Sequence, residues 1–560
     1  MNRTKPLHHT TVYLLIVGMI ASLFQQPMTA AAAAPAASTA TTTKTATAAV
    51  TKAGLPYDDI RSNYATEAIV NMTKLNFITG TGERRFEPDK AITRAEFVTL
   101  IDRLLGMEPV SGAIPAFADV LPAAWFYNWV ETAIQLNLVQ GTSPALFEPQ
   151  RPVSREEAAV ILARAWKQPL IPSSSVQDGL YSDQKQIDTW ALPSVERLSR
   201  IRLMTGDQDG FRPLDSITRQ EAAVLMNRAW THAGWKDKLL ASPSAAIQLG
   251  WQYGQTTKQF EQQVSQSVVN TVSPRWFFLG SSGGLEDQTD LSLLTWAHKQ
   301  NKKVWAMVGN HASQETTHAM LSDSNQQRSF IQQLANRVRS SGIDGLNIDF
   351  ENMMPEDRNA FTSFITALHQ ALNTVPAVLT VNVSPDFGTD WTDVFDYAAL
   401  SANADYIVLM GYDEHWGGDP VPGSVSSLPW LRLGIDQILK KAPASKVILA
   451  MPLYTRDWTL GANGAYTSQG IDLLGQNRIV QAKKSVTKWD DTLGQYTSEY
   501  VDQLLLHRIW LEDGRSLTRK ANLANAYSLA GCAYWYMGGE SSDVWSSLRN
   551  ANKFNHYDFS

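Results

Sequence analysis

The chain is poor in the residues that mark disulfide-bonded, metal-binding and nucleic-acid-binding proteins. Cys532 is its only cysteine, which excludes an intramolecular disulfide and leaves stability to a large apolar core. The ten histidines are scattered without the spacing of a metal site, so we expect neither a metal nor a cofactor. A net charge of −6 and a pI near 6.0 give no electrostatic attraction for nucleic acid. Cys532 itself is expected to be a small buried apolar residue.

The first 54 residues predict export. Arg3 and Lys5 precede a short apolar run at 11–24, and small residues follow it, which is typical of a secretory signal peptide over residues 1–30. An uncleaved anchor is the alternative, although the run is shorter than the ~20 residues that span a bilayer. Residues 31–54 are mostly Ala, Thr, Ser and Pro and predict a linker without a core. We therefore expect a secreted protein with no membrane span after signal removal.

An internal repeat organises the next part of the chain. Each copy has Phe-x-Pro, a loop and then Thr/Ser-Arg-x-Glu, beginning at Phe86, Phe147 and Phe211. The hydroxyl residue and the Glu three positions later form a capping box that begins a helix. Because a further helix precedes each loop, the unit is helix, loop, helix. The predicted copies span residues 55–108, 113–168 and 176–232, followed by a hinge at 233–244.

These repeats resemble the S-layer homology (SLH) domain, which has the same motif with an aspartate upstream, here Asp58, Asp119 and Asp183. The resemblance implies an all-α pseudo-trimer that binds secondary cell-wall polysaccharide, and therefore attachment to the bacterial cell wall or S-layer. It assigns the binding of a pyruvyl carboxylate on that polysaccharide to Arg94, Arg155 and Arg219. An arginine near a helix N-terminus suits an anion, but each could instead be a surface residue that balances its neighbouring Glu.

One of the three SLH grooves is expected to be weaker than the others. The second and third repeats have Trp125 and Trp190 at corresponding places, whereas the first has Tyr64. We therefore expect the groove of the first repeat to be the most degenerate.

The segment 344–351, Asp-Gly-Leu-Asn-Ile-Asp-Phe-Glu, carries the most chemical information in the chain. Side chains alternate between the two faces of a strand, so Asn347, Asp349 and Glu351 share one face, opposite an apolar one. Carboxylates are costly to bury, so an acidic stripe on a core strand indicates a functional role. An edge strand with one solvated face is the structural alternative. Asp344 is an odd number of positions from Asn347, Asp349 and Glu351, so it lies on the other face of the strand. We expect it to have a structural rather than a catalytic role.

Strands and helices alternate over residues 245–553. Predicted strands lie at 246–251, 276–280, 303–308, 343–350, 378–383, 404–410, 447–452 and 531–535. Eight strands with intervening amphipathic helices predict an α/β fold of the TIM (β/α)8 barrel type, whose active site lies at the carboxyl ends of the strands. A doubly wound open sheet is the alternative, but no Gly-rich phosphate loop follows the first strand. Glu351 comes just after the fourth strand, where a barrel places its catalytic groups.

This half of the chain resembles glycoside hydrolase family 18, the chitinase-like hydrolases, with details closest to the branch of spore-cortex hydrolases. The family motif D-x-x-D-x-D-x-E falls on Asp344, Asn347, Asp349 and Glu351. Further matching segments are Met410-Gly-Tyr-Asp-Glu-His-Trp416, Pro452-Leu-Tyr-Thr-Arg-Asp-Trp458 and Trp535. The resemblance also implies a small α+β insertion between strands seven and eight, within residues 459–525.

The resemblance implies a substrate-assisted retaining mechanism on a glycan that contains N-acetylglucosamine. Glu351 is the implied general acid and base, Asp349 orients the 2-acetamido group, and Tyr412 donates a hydrogen bond to it. The implied substrate-binding residues are Asn347, Met410, Asp413, Trp416, Arg456 and Trp535. Trp251 and Tyr253 are further candidates for stacking on sugar rings. Plain packing is the alternative for Met410 and Trp535, and a salt bridge within the insertion is the alternative for Arg456.

Asn347 departs from the pattern, because many chitinases have Asp there. An amide can donate a hydrogen bond to Asp349 without adding charge, so we expect a changed pH profile with activity retained.

The leading hypothesis is a wall-anchored hydrolase of β-1,4-linked N-acetylglucosamine polymers, with peptidoglycan and chitin both open as substrate. A catalytically silent lectin and a structural S-layer protein are the alternatives. Both are disfavoured because Glu351, Asp349 and Tyr412 are all present. Predicted partners are the glycan substrate and the secondary cell-wall polysaccharide, with no nucleic acid.

Overall fold

The computed structural model describes residues 55–242 and 246–559. The predicted signal peptide and linker, and part of the predicted hinge, lie outside the described residues. Within them, no helix combines the length and apolar character needed to cross a membrane.

Residues 55–232 are helical, as predicted, and a further helix lies in the part predicted as a hinge. Their helices are α1 (Thr66–Lys74), α2 (Arg94–Leu104), α3 (Tyr127–Gln135), α4 (Arg155–Ala165), α5 (Leu192–Arg200), α6 (Arg219–Thr231) and α7 (Trp235–Leu240). The Thr/Ser-Arg-x-Glu motif begins α2, α4 and α6, and in each the hydroxyl and the Glu side chain satisfy each other's backbone N–H groups. The repeats therefore start their second helices by one local mechanism.

An aspartate fixes the Phe-x-Pro loop in each repeat. Asp119 accepts hydrogen bonds from two successive backbone N–H groups of its loop, and so does Asp183. In the first repeat the equivalent residue is Asp59, which accepts from the N–H groups of Phe86 and the next residue. Our assignment of Asp58 was wrong by one position, because that side chain is exposed and pairs with Arg84 instead.

The carboxy-terminal half is a closed parallel barrel. Its strands are β1 (Ile247–Trp251), β2 (Thr271–Ser273) with β3 (Arg275–Leu279), β5 (Lys303–Gly309), β6 (Gly345–Asp349), β7 (Val378–Val383), β8 (Tyr406–Met410), β9 (Val447–Pro452) and β15 (Gly531–Trp535). Closure follows from the pairing of β1 with both β2 and β15, and of β2 with β5. The TIM-barrel prediction is confirmed, and an open sheet is excluded.

Pro274 divides the second barrel strand into β2 and β3, because proline has no N–H to donate to the ladder. The short antiparallel strand β4 (Leu285–Asp287) pairs with β3. The helices around the barrel up to its seventh strand are α8 (Thr257–Gln266), α9 (Leu291–Lys299), α10 (Gln314–Ser322), α11 (Ser324–Ser341), α12 (Arg358–Leu372), α13 (Tyr397–Asn403) and α14 (Leu428–Ile438). Their apolar faces and the outward faces of the strands form the largest core of the described chain.

The predicted insertion follows β9 directly. It consists of β10 (Tyr454–Leu460), β11 (Tyr466–Asp472), α15 (Leu473–Lys483), β12 (Val486–Asp490), β13 (Gln495–Asp502) and β14 (Leu505–Leu511). The five strands form one antiparallel sheet in the order β11-β10-β14-β13-β12. It begins earlier than the predicted residue 459, and the helices after it, α16 (Gly514–Ala526) and α17 (Val544–His556), belong to the barrel.

Candidate active site

The catalytic candidates meet at the carboxyl end of β6. Asn347 and Asp349 point from the strand toward the barrel axis and are buried, with 0% and 8% of their surface exposed. Glu351 follows the strand and opens to the cleft. Its backbone is clamped by Asn310, whose Oδ1 accepts from the Glu351 N–H (3.0 Å) and whose Nδ2 donates to the Glu351 carbonyl (2.8 Å). Asn310 follows β5, so two adjacent strands hold the acid in place.

A network of hydrogen bonds between amide side chains inside the barrel leads to Asp349. Asn347 accepts a hydrogen bond from Trp251 Nε1 (2.8 Å) and donates through Nδ2 to Asn382 Oδ1 (2.6 Å) and Thr380 Oγ1 (2.8 Å). Asn382 in turn donates to Asp349 Oδ1 (2.8 Å). We expected Asn347 to donate a hydrogen bond to Asp349 directly. The donor to Asp349 is instead Asn382, on the neighbouring β7.

The electrostatics favour a protonated Glu351 beside a second carboxyl group. Burial raises the pKa of Glu351 to about 7, and the charges of Asp349 and Asp413 act in the same direction. Burial also raises the pKa of Asp349, against the hydrogen bond from Asn382 and the charge of Arg275. A carboxyl that keeps its proton near neutral pH next to another carboxyl is the arrangement that general acid catalysis needs.

Tyr412 supplies a hydroxyl at the same place. Burial raises its pKa well above the ordinary value, and nearby carboxylates add to the shift, so the hydroxyl stays protonated. Among the described residues it has no hydrogen-bond partner and is free to donate to a ligand. The next residue, Asp413, adopts a left-handed backbone (φ 62°) and accepts a hydrogen bond from the Tyr454 hydroxyl.

Aromatic rings line one side of the cleft. The Trp535 ring lies 6.4 Å from that of Tyr412 in a stacked orientation, 5.7 Å from that of Trp251 and 5.5 Å from that of Tyr253. Trp416 is 55% exposed. Tyr253, at 44% exposed, and Trp416 offer apolar faces to a ligand while keeping polar edges in water. Trp251 is fully buried, so it is not available for stacking on a sugar ring.

Met410 and Arg456 are the remaining candidates for substrate binding. Met410 is half-buried at the end of β8. Arg456 lies on β10 and donates through Nε to Ser468 Oγ (2.9 Å) on β11, so it ties two strands of the insertion together. Asp344 lies before β6, at the other end of the barrel, where it binds the Val304 N–H and the Lys303 ammonium. Its geometry is structural, as expected.

Sequence reasoning missed Asn310, Asn382 and Thr380. Each lies on or directly after a strand other than β6 and carries no local motif, so only the barrel's parallel register brings it to the site. No three His, Cys, Asp or Glu side chains converge as metal ligands in the part of the chain that the structure describes.

The three SLH arginines are buried and reach across to the next repeat. Arg94 Nε donates to the Phe147 carbonyl (2.9 Å), Arg155 Nε to that of Phe211 (2.8 Å) and Arg219 Nε to that of Phe86 (2.8 Å). Each guanidinium also faces a carboxylate of that repeat's capping box: Glu157, Glu221 and Glu96 respectively. These cyclic contacts join the repeats, and the predicted pyruvyl-binding role remains a prediction.

Arg94 lies at a groove between repeats. The groove of Arg94 has a volume of about 380 Å³ and is lined by Trp190 of the third repeat. Tyr64, in contrast, lies near Glu221: burial and then the charge of Glu221 raise its pKa. Because Glu221 pairs with Arg155, Tyr64 lies near Arg155 rather than in the groove of Arg94, and the expected degeneracy of the first repeat's groove stays a prediction.

The sequence profile of the glycosyl hydrolases family 18 matches residues 255–540, just over half of the 560-residue chain. The profile of the S-layer homology domain matches residues 56–98, 116–159 and 180–223. The chain therefore belongs to glycosyl hydrolase family 18 and carries three S-layer homology domains. It is a cell-wall glycosyl hydrolase that acts on a glycan.

Similar proteins share the catalytic half. An uncharacterized glycosylase, YvbX, from Bacillus subtilis is 28% identical over 55% of this chain and 92% of its own. The cortical fragment-lytic enzyme of the same organism is 26% identical over 52% of this chain and 70% of its own. Among solved structures, a chitinase from Chromobacterium violaceum (24% identity, TM-score 0.51) has the same fold over 55% of this chain and 99% of its own.

Proposed function

We propose that the protein is exported, anchored to the bacterial cell wall by its SLH repeats, and hydrolyses β-1,4-linked glycans containing N-acetylglucosamine, either peptidoglycan or chitin. The observation that carries this proposal is the placement of Asp349 and Glu351 at one strand end, with the free Tyr412 hydroxyl nearby. The similarity to a cortical fragment-lytic enzyme supports a wall glycan as substrate.

The spacing of the two acids supports a substrate-assisted mechanism. In ordinary retaining enzymes an acid and a nucleophile flank the bond from opposite sides, about 5–5.5 Å apart. Asp349 and Glu351 are two residues apart at the end of one strand, so both lie on the same side of a bound sugar, with Cα atoms ~6.5–7 Å apart. Family 18 enzymes use the 2-acetamido oxygen of the substrate as nucleophile instead.

In this mechanism Glu351 protonates the leaving oxygen while the acetamido oxygen attacks the anomeric carbon, which forms an oxazolinium ion. Asp349 accepts from the acetamide N–H and stabilises the positive charge, and Tyr412 donates to the acetamide oxygen. Trp535 packs against the sugar ring at the cleavage site. Glu351, now a carboxylate, then takes a proton from water, whose oxygen attacks the anomeric carbon. The bond between that carbon and the acetamido oxygen breaks, the acetamido group is restored, and the configuration is retained.

The test is Glu351→Gln in the full chain, assayed on chitin oligomers and on peptidoglycan strands. Because the amide keeps the shape but cannot transfer the proton, turnover should fall by a factor on the order of 10²–10⁴ while glycan binding persists. Glu261→Gln on the outer helix α8 is the matched control and should keep wild-type turnover. A wild-type chain that binds these glycans without cleaving them would instead identify a lectin.

A further inference from the structure

One arginine in the catalytic half has no assigned role. Arg275 is the first residue of β3, directly after Pro274. The ladder between β3 and β5 shifts register between Arg275 and Phe277, and such bulges re-aim side chains next to functional sites. The guanidinium carbon lies 4.9 Å from the ring centre of Tyr253 and 5.3 Å from that of Phe278. The two rings hold the arginine by cation–π contacts.

Among the described residues, the guanidinium has no hydrogen-bond or ion-pair partner. Its Nε is sealed from solvent and has no acceptor. Across the described residues, no carboxylate lies within ion-pair distance of Arg275 and no oxygen accepts from it. Asp290, an acid that lines the same pocket, accepts from Thr257 and Ser292 instead, and Glu286 pairs with His311. A buried donor without an acceptor is costly, and a ligand anion would remove that cost.

Arg275 also lies close to the reacting groups. Its charge lowers the pKa of both Asp349 and Glu351, against the effect of their burial. Tyr253, which contacts it, lies 5.5 Å from the ring of Trp535. The arginine lines a cavity of about 580 Å³ together with Gln252, Gln255, Gln288 and His311, whose amides and imidazole suit sugar hydroxyls.

We infer that Arg275 binds a carboxylate carried by the glycan, so that the cleft prefers an acidic amino sugar over plain N-acetylglucosamine. In cell-wall material this group is the 3-O-lactyl carboxylate of N-acetylmuramic acid where the stem peptide has been removed, or a carboxylate of the stem peptide itself. A planar guanidinium binds such a group through two parallel hydrogen bonds. The inference rests on the proposed hydrolase function and narrows its substrate.

The experiment compares three substrates with the full chain: chitin oligomers, peptidoglycan strands without stem peptides, and strands that retain them. The rate constant kcat/KM is measured at about pH 5, below the pKa of Glu351, so that the acid stays protonated in every variant. The wild type should prefer a muramic-acid strand over chitin. Arg275→Gln should reduce that preference by roughly 10- to 100-fold, the value of a charge-assisted pair. Arg275→Lys keeps the positive charge but cannot make the two parallel hydrogen bonds of a guanidinium. Its substrate preference should lie between those of the wild type and Arg275→Gln.

The control is Arg339→Gln, an exposed arginine on α11, which should leave the preference at the wild-type value. Unfolding curves that match the wild type show that the variants are folded. If kcat/KM of Arg275→Gln falls only on strands without stem peptides, the lactyl carboxylate is supported as the ligand. If it falls only on strands that retain stem peptides, a carboxylate of the peptide is supported. An unchanged substrate preference in Arg275→Gln, with only a shifted pH profile on every substrate, would overturn the inference. A wild type inactive on all three would refute the proposed function instead.

Discussion

Asn382 should matter to catalysis although it is not expected to touch the reacting bond. Its Nδ2 donates to Asp349 at 2.8 Å, the one side-chain hydrogen bond that Asp349 receives from the described residues, and Asp349 is 8% exposed. Hydrogen bonds to charged groups contribute about 1.5–3 kcal/mol. If Asp349 stabilises positive charge in the transition state, Asn382→Ala should lower kcat by roughly 10- to 100-fold, since each 1.36 kcal/mol is a factor of ten.

The matched control is Thr380→Val in the same network. Thr380 accepts from Asn347 at 2.8 Å and donates to the Leu346 carbonyl at 3.3 Å, but it makes no hydrogen bond to Asp349. The isosteric valine therefore removes two neutral hydrogen bonds, neither of them to Asp349, and should change kcat by less than about tenfold.

The assay is hydrolysis of a soluble chitin oligomer over a range of pH. The lost donor further raises the pKa of Asp349, so the acidic limb of the Asn382→Ala profile should move to higher pH. Wild-type kcat in Asn382→Ala, or an equal loss in Thr380→Val, would refute the role of this hydrogen bond.

Three further predictions concern pH and anchoring. Because Glu351 acts as an acid with a pKa of about 7, kcat/KM should fall as pH rises through about 7, which a pH–rate profile checks. Burial raises the pKa of Glu131 on α3 to about 7, well above its unfolded value, so its contribution to stability is complete below about pH 4 and is lost as pH rises toward 7. Glu131→Gln should therefore raise the melting temperature relative to wild type at pH 8 but not at pH 4. Trp190→Ala, at a 53%-exposed side chain in the groove of Arg94, should weaken co-sedimentation with polysaccharide-bearing walls without lowering the melting temperature; unchanged pelleting would contradict a binding role for that groove.

Much of the barrel was predictable because buried parallel strands are short apolar runs. For seven of the eight barrel strands, the predicted bounds lie within about two residues of the observed ones. The exception was the second strand, where Pro274 interrupts the ladder and hides β2. The insertion began earlier than expected because Tyr454 continues almost directly from β9 into a second sheet. Sequence alone gives no period or motif for such a change of sheet.

From the strand pattern alone, the site was predictable only where its residues are adjacent in sequence, and Tyr412 and Trp535 were predicted through the family resemblance. The alternation along β6 placed Asp349 and Glu351 together, but the supports from Asn310 and Asn382 depend on strand register and were not visible. The SLH arginines show the same limit. Their position in the capping box was readable, whereas their bonds to carbonyls of the next repeat arise only when the three repeats close into a ring.

The most direct test of the central claim is the anomeric configuration of the first product. Nuclear magnetic resonance of a β-linked N-acetylglucosamine oligomer during hydrolysis by the full chain distinguishes the two anomers before they interconvert. Attack by the acetamido oxygen followed by water predicts that the β-anomer appears first. Initial formation of the α-anomer would contradict substrate-assisted catalysis at Asp349 and Glu351.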